Sequence, residues 1–264
     1  MTTPGLWNES FGQLGATLKA LEDRGVTLEH LKLIRSDDRV ADAVAETLLK
    51  QIIVTDSLIN GMFMPAELKL QIAKQVNADR GWGFSEEDFE KLGSPPTWFS
   101  GRLCVVALEI SLDTVGKTFE EAWHFAKGAQ PGGWHWPELK SDVDQLRLLS
   151  GIEHKRGLRW RVVELAANWD KKDGIRPKDV RNPQTSPHSA VLWEAGFSPK
   201  WVQAMDGVNV PYVWIPGYEA SISGGPAWSY APYLRWNRVF RKVELIADHC
   251  ELRYQYWAVP AFRE

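Results

Sequence analysis

The chain has 264 residues and a formal net charge of −3, with 44% hydrophobic and 25% charged residues. These values are ordinary for a globular protein, so they exclude a disordered or fibrous chain, and they provide no global positive charge to attract nucleic acid. The unusual feature is the 14 Trp residues, because Trp both fills cores and anchors interfaces.

The first part of the chain, from Asn8 to about Asn77, is predicted to form short helices. A first helix ends at Gly25, Thr27 caps a second with Leu28, Leu31 and Ile34 inside, and Ser36 opens a third. Such helices could read DNA, but acidic residues interrupt their basic faces and disfavour nucleic acid as a partner.

Turn-forming residues between Gly81 and Gly101 predict a hinge between two parts of the chain. We therefore expect a small helical N-terminal region over residues 1–95 and a mixed domain over residues 96–264. The N-terminal sequence has neither a basic n-region nor an apolar segment, so we expect a cytoplasmic protein without a membrane segment. Surface display by another route stays open.

The second part alternates helical and strand patterns. A buried strand is predicted over Leu103–Leu108, and helices over Thr118–Gly128 and Pro137–Leu149. Short strands should follow over three ranges: Leu158–Leu165, Ala190–Phe197 and Val210–Ile215. No regular β-α-β alternation is present, so the predicted fold class is α+β, with short strands and two helices.

Motifs for catalysis, cofactors and metals are missing from the sequence. It has no glycine-rich phosphate-binding motif, no G-x-S-x-G nucleophile motif of hydrolases and no H-E-x-x-H motif of zinc proteases. Cys104 and Cys250 form no metal-binding pair. We therefore expect a non-catalytic protein with no cofactor and no metal site. A calcium site near Asp170 and a carboxylate pair of Glu164 and Glu194 remain open alternatives.

The C-terminal segment is the strongest candidate for function. Alternation predicts two strands, with Trp236, Val243 and Leu245 facing inward. Mixed polar and large apolar residues fall at the other positions, and an exposed patch of that kind is typical of a binding surface. The candidate ligand-binding residues are Asn237, Val239, Phe240, Ile246, Asp248, His249, Cys250, Leu252, Tyr254 and Tyr256. The alternative is a terminal hairpin whose aromatic residues cover another part of the domain.

A family resemblance is carried by two sets of residues. They are the frame Tyr233-Leu234-x-Trp236-x-Arg238, followed by Val243-x-Leu245-x-Ala247, and the closing segment 257–264. The segment resembles the variable region of target proteins of diversity-generating retroelements, in the branch with a C-type lectin fold related to the formylglycine-generating enzyme. In that family, adenine-directed reverse transcription rewrites chosen Asn codons.

The resemblance implies a C-type lectin-like domain over about residues 100–264, with a variable region at about 230–257. It implies a ligand that is a protein or another macromolecule. Neither Cys104 nor Cys250 has the spacing of the catalytic cysteines in the related enzymes, so their activity is not implied. Rewriting the adenines of an AAY codon never yields Lys, Glu, Gln, Met or Trp, and the candidate residues all belong to the permitted set. A DNA-associated regulator that uses the N-terminal helices, with a C-terminal sensor domain, is the alternative function.

Overall fold

The computed structural model describes residues 27–37, 39, 61–97, 103–130, 133–135, 145–222 and 225–263. The chain divides into two compact units, Met1–Gln51 and Ile52–Glu264. In the first unit, helix α1 spans Leu28–Ser36 and starts after Thr27, which confirms the predicted second helix. The predicted helices before Gly25 and after Ser36 lie almost entirely outside the described residues.

The described part of the second unit contains both helices and strands, which is an α+β composition as predicted. Its helices are α2 (Ala66–Arg80), α3 (Glu86–Lys91), α4 (Val115–Gly128), α5 (Pro177–Val180), α6 (Ser189–Phe197) and α7 (Pro199–Ala204). Its strands are β1 (Cys104–Ser111), β2 (Gly133–His135), β3 (Leu146–Leu148), β4 (Gly157–Asn168), β5 (Tyr212–Trp214), β6 (Tyr218–Ala220), β7 (Tyr230–Asn237), β8 (Lys242–His249) and β9 (Trp257–Arg263).

The strands form one mixed sheet in the order β1-β4-β9-β5-β7-β6-β3. Strand β8 pairs with the other edge of β7 and also with β2. The β5–β9 and β2–β8 pairs are parallel, and the other strand pairs are antiparallel. The last strand of the chain therefore lies inside the sheet, and β5 and β7 follow it in the sheet order.

Helices α4 and α6 pack against each other over the main core. Gly196 allows their close approach, because a Cβ atom at that position would lie 2.2 Å from the Phe125 ring. Helix α4 starts earlier than the predicted Thr118, since Thr114 caps it by accepting the N–H of Lys117. Its predicted end at Gly128 is confirmed.

Two predicted elements are wrong. Residues 190–197 form helix α6 rather than a strand, and every residue of that helix is buried. An apolar segment that is covered on all sides has no periodicity to distinguish helix from strand. The end of the predicted helix Pro137–Leu149 contains strand β3, which pairs with β6, and residues 136–144 lie outside the described part.

Residues 61–95 belong to the second unit, whereas the sequence placed them in a separate N-terminal helical region over residues 1–95. Phe63, Trp82 and Phe89 belong to the main core. Lys69 of α2 is fully buried and donates to Glu194 of α6 at 2.6 Å and to the Val106 carbonyl at 2.6 Å. The two compact units divide between Gln51 and Ile52, whereas the sequence placed a hinge between Gly81 and Gly101.

Candidate ligand-binding surface

The hairpin of β7 and β8 supplies the framework of the candidate surface. The two strands pair along their whole length. Residues of one face are buried in the main core: Leu234, Trp236, Val243, Leu245 and Ala247. The predicted inward set of this hairpin is confirmed, because alternate residues of a strand share one face.

The opposite face of the hairpin is covered over part of its length, which corrects two predictions. Ile246 is only 6% exposed and Cys250 only 8%, although both were predicted to face solvent. Ile175 and Tyr254 pack against the small cluster that contains them. The backbone N–H of Lys178 donates to the Cys250 carbonyl, so the chain around α5 is held against this face.

Four aromatic rings form the centre of this second cluster. The Trp257 ring lies 4.0 Å from the ring of Tyr254, 4.1 Å from Tyr233 and 4.9 Å from Trp214. Trp214 is fully buried, and its indole N–H has no hydrogen-bond partner among the described residues. This part of the predicted variable region therefore contributes to a core.

The predicted residues at the far end of β8 are half-buried. The Tyr254 hydroxyl donates to Asp248 at 3.1 Å, and the His249 ring lies 5.4 Å from the Tyr230 ring. Burial, together with the negative charge of Asp248, raises the pKa of the Tyr254 hydroxyl. These side chains are accessible only in part and are fixed by neighbours.

The turn between β7 and β8 is the most exposed part of the hairpin. Val239 is 85% exposed and Phe240 is 68% exposed. The Asn237 side chain accepts the N–H groups of both residues at 3.1 Å, an arrangement that fixes the start of the turn. Arg241 ends the turn with φ of 48°, in the left-handed region.

The loop before β5 lies beside this turn and contacts both the turn and Tyr256. Arg238 approaches Asp206 at 3.7 Å, and a Cβ atom at Gly207 would lie 2.8 Å from the Tyr256 Cβ. The strand register is consistent with these contacts. Tyr212 pairs with Trp257, and Val213 pairs with Leu234. Tyr256 therefore lies level with the end of β7 that leads into the turn.

We define the turn surface as Val208, Val239, Phe240 and Tyr256, together with the linking residues Asp206, Gly207 and Arg238. Val208 was missing from the predicted set, although the sequence did indicate a turn at Asp206-Gly207. Asp206, two residues before Val208, contacts Arg238 of the hairpin, and no local sequence pattern indicates this long-range contact.

Leu252 does not belong to the turn surface. It is 39% exposed, but it follows the opposite end of β8 from the turn. A strand of this length separates its two ends by roughly 25 Å. The ten predicted residues therefore do not form one patch.

The carboxylates at and beside the turn surface, Asp206 and Glu244, accept hydrogen bonds from the protein itself. Burial raises the pKa of Asp206, but N–H donation from Val210, Asn209 and Val208 outweighs it and holds the pKa at about 2. Glu244 accepts from Arg235 at 2.7 Å and from Asn237 at 2.9 Å.

A buried cluster of polar side chains around Glu109 lies away from the turn surface. Glu109 is fully buried and lies 2.9 Å from His188, while Arg161 donates to its other oxygen at 2.9 Å. Burial raises the pKa of Glu109, but the contacts with His188 and Arg161 lower it to about 2. Ser189 contacts the His188 ring, Oγ to Nδ1 at 3.2 Å, as in a hydrolytic triad, but Ser189 is completely buried and no substrate can reach its hydroxyl.

The remaining sequence alternatives have structural explanations. Glu164 pairs with Arg263 and Glu194 with Lys69, so these carboxylates bind separate cations. Asp170 accepts the N–H groups of Lys172 and Asp173 within a turn.

No group of three or more His, Cys, Asp or Glu side chains among the described residues could hold a metal ion. No helix in the described ranges is long and apolar enough to cross a membrane.

Helix α1 carries mixed charge on its exposed surface. Lys32 pairs with Glu29 at 2.7 Å, and both side chains are well exposed. Among the described side chains of α1, this pair offers no basic stripe for a phosphate backbone.

The chain was also compared with known proteins. It matches no protein-family model, no curated protein and no solved structure. Function is therefore inferred from the contacts and charges of the turn surface.

Proposed function

We propose that the protein is a non-catalytic binding protein that contacts a macromolecular ligand through the turn surface. Four exposed apolar side chains, in the turn and in the segments beside it, support this function. Val208, Val239, Phe240 and Tyr256 are 57%, 85%, 68% and 55% exposed. Clustered exposed apolar groups are typical of interaction sites, and aromatic anchors supply much of the binding energy at such sites.

The framework under the turn surface suits a binding role. Trp236 and Val243, at the base of the turn, are buried in the main core, and Asp206 accepts three backbone N–H groups of its own loop. A ligand would therefore meet side chains held on a preorganised backbone, which reduces the entropy lost on binding.

The proposal extends to the family: a retroelement target protein with a C-type lectin-like domain. Exposed positions such as Val239, Phe240 and Tyr256 can change identity without emptying the core. Ile246 and Cys250 lack this freedom, so we assign variation to the turn surface and exclude these two buried positions from it.

Sequencing of the encoding locus tests this family assignment. We expect a near-copy of the 3′ coding segment beside a reverse-transcriptase gene, with adenines in the codons that correspond to Val239, Phe240 and Tyr256. At the codons for Ile246 and Cys250, the copy and the coding segment should be identical. A locus without such a copy would exclude the retroelement class, while the binding role of the turn surface would still be open to direct test.

A further inference from the structure

We infer that the ligand of the turn surface is a protein that presents an acidic segment next to an apolar contact. This inference rests on the proposed binding role of the turn surface and adds the chemical class of the partner.

The charges that point to solvent around the turn are positive. The Arg238 side chain is 63% exposed, and Arg241 is also exposed. Lys242 lies 5.1 Å from the centre of the Phe240 ring and 3.8 Å from Glu244, and its side chain is 29% exposed. The nearby acids are withdrawn, because the side chains of Asp206 and Glu244 are only 14% and 5% exposed. A protein with a net charge of −3 thus presents a local cationic site around two apolar side chains.

Arg241 adds an independent observation. Its φ of 48° lies in a region that favours glycine, yet the residue carries a long charged side chain. Within the described residues, Arg241 makes no ion pair that would compensate for this strain. A left-handed residue is a usual way to close such a turn, and glycine would do so without strain. The backbone therefore does not require the charged side chain of Arg241, which is available for an external contact.

Arginine chemistry favours carboxylates or phosphates as the partner groups. A guanidinium binds a carboxylate through two parallel hydrogen bonds, and an aromatic anchor such as Phe240 needs an apolar pocket beside them. A protein segment can supply both. Nucleic acid and anionic lipid are less suited, because affinity for a polyanion requires many cations and the net charge of −3 opposes it.

Selection from a phage-displayed library of random peptides on the full-length protein tests the inference. The comparison uses wild type, V239S/F240S, R238S/R241S and the matched variant K127S/K155S, which removes two exposed lysine charges elsewhere. We expect peptides that require Val239 and Phe240 to be rich in Asp and Glu. Their affinity should fall by about tenfold or more in R238S/R241S and should remain unchanged in K127S/K155S.

The outcomes separate this inference from the proposed function. Neutral or basic peptides that still require Val239 and Phe240 would overturn the acidic partner and leave the binding surface intact. Peptides that bind V239S/F240S as well as wild type would overturn both.

Two direct probes cover the other anionic partners. Vesicles of equal parts phosphatidylcholine and phosphatidylserine, and oligothymidylate, are tested with the same variants. Binding of either probe that is lost in R238S/R241S, without enrichment of acidic peptides, would overturn the inference in favour of lipid or nucleic acid. We expect neither probe to bind.

Discussion

The turn at Val239 and Phe240 and the strand position Ile246 belong to one short segment, and the sequence presents them as equivalent. All three are apolar residues at predicted outward positions. In the structure, Val239 and Phe240 extend into solvent, whereas Ile246 is buried in a cluster against which Ile175 and Tyr254 pack. Alternation along a strand identifies its two faces, but it does not report whether a distant segment covers one of them.

The largest expected difference is between the adjacent residues Trp257 and Tyr256. Trp257 is 7% exposed and contacts three aromatic rings, whereas Tyr256 is 55% exposed. We expect Trp257→Ala to lower the free energy of unfolding by about 3–5 kcal/mol. Tyr256→Ala should change it by about 0.5 kcal/mol or less. Urea denaturation followed by circular dichroism measures both, and similar losses in the two variants would contradict the proposed division of the segment.

A second pair tests the same division within the hairpin. Ile246→Ala should lower the free energy of unfolding by about 2–4 kcal/mol, because it leaves a cavity in the buried cluster that contains Tyr233 and Cys250. Phe240→Ala should have an effect of about 0.5 kcal/mol or less, since its side chain is mostly in water. Thermal unfolding of the two variants under one buffer gives the comparison. A stable Ile246→Ala protein would return Ile246 to the set of variable candidates.

The sequence was sufficient for features that depend on local pattern. Alternation predicted β7, β8 and their buried frame, and apolar spacing with Thr27 predicted α1. It was insufficient where long-range contacts decide the outcome. Helix α6 is buried on every side, so its pattern has no period, and Cys250 is covered by a segment some seventy residues earlier in the chain. The loop that carries Val208 contacts the hairpin through Asp206 and Arg238, and local sequence does not encode this contact.

An intermediate effect is expected at Asp206, which shapes the loop beside the turn. Asp206→Ala removes an acceptor of three backbone N–H groups and should cost about 1–2 kcal/mol at neutral pH. Because the pKa of Asp206 is depressed to about 2, its contribution is complete above the ordinary value of about 4 and is lost as the pH falls toward 2. The difference in the free energy of unfolding between wild type and Asp206→Ala should therefore become smaller as the pH falls from about 4 to about 2.

Denaturation at a series of acid pH values measures this effect. Glu109, whose pKa is also lowered to about 2, titrates in both proteins and so cancels in the difference. A difference that stayed constant down to the lowest pH would show that the charge of Asp206 does not stabilise the loop.

The smallest expected effect has the opposite sign and links stability to binding. Arg241→Gly places glycine at a φ of 48°, which glycine adopts without strain, so we expect unfolding to require about 0.5–1 kcal/mol more free energy. If the arginine serves the ligand, the same variant should bind acidic peptides more weakly although its fold is more stable. Arg241→Asn, which tolerates the left-handed region and also lacks the charge, should behave in the same way. Differential scanning calorimetry and peptide titration on the same samples give both quantities. Weaker binding together with higher stability would mean that the turn retains a strained arginine for its ligand, whereas unchanged binding would leave Arg241 without the role inferred for it.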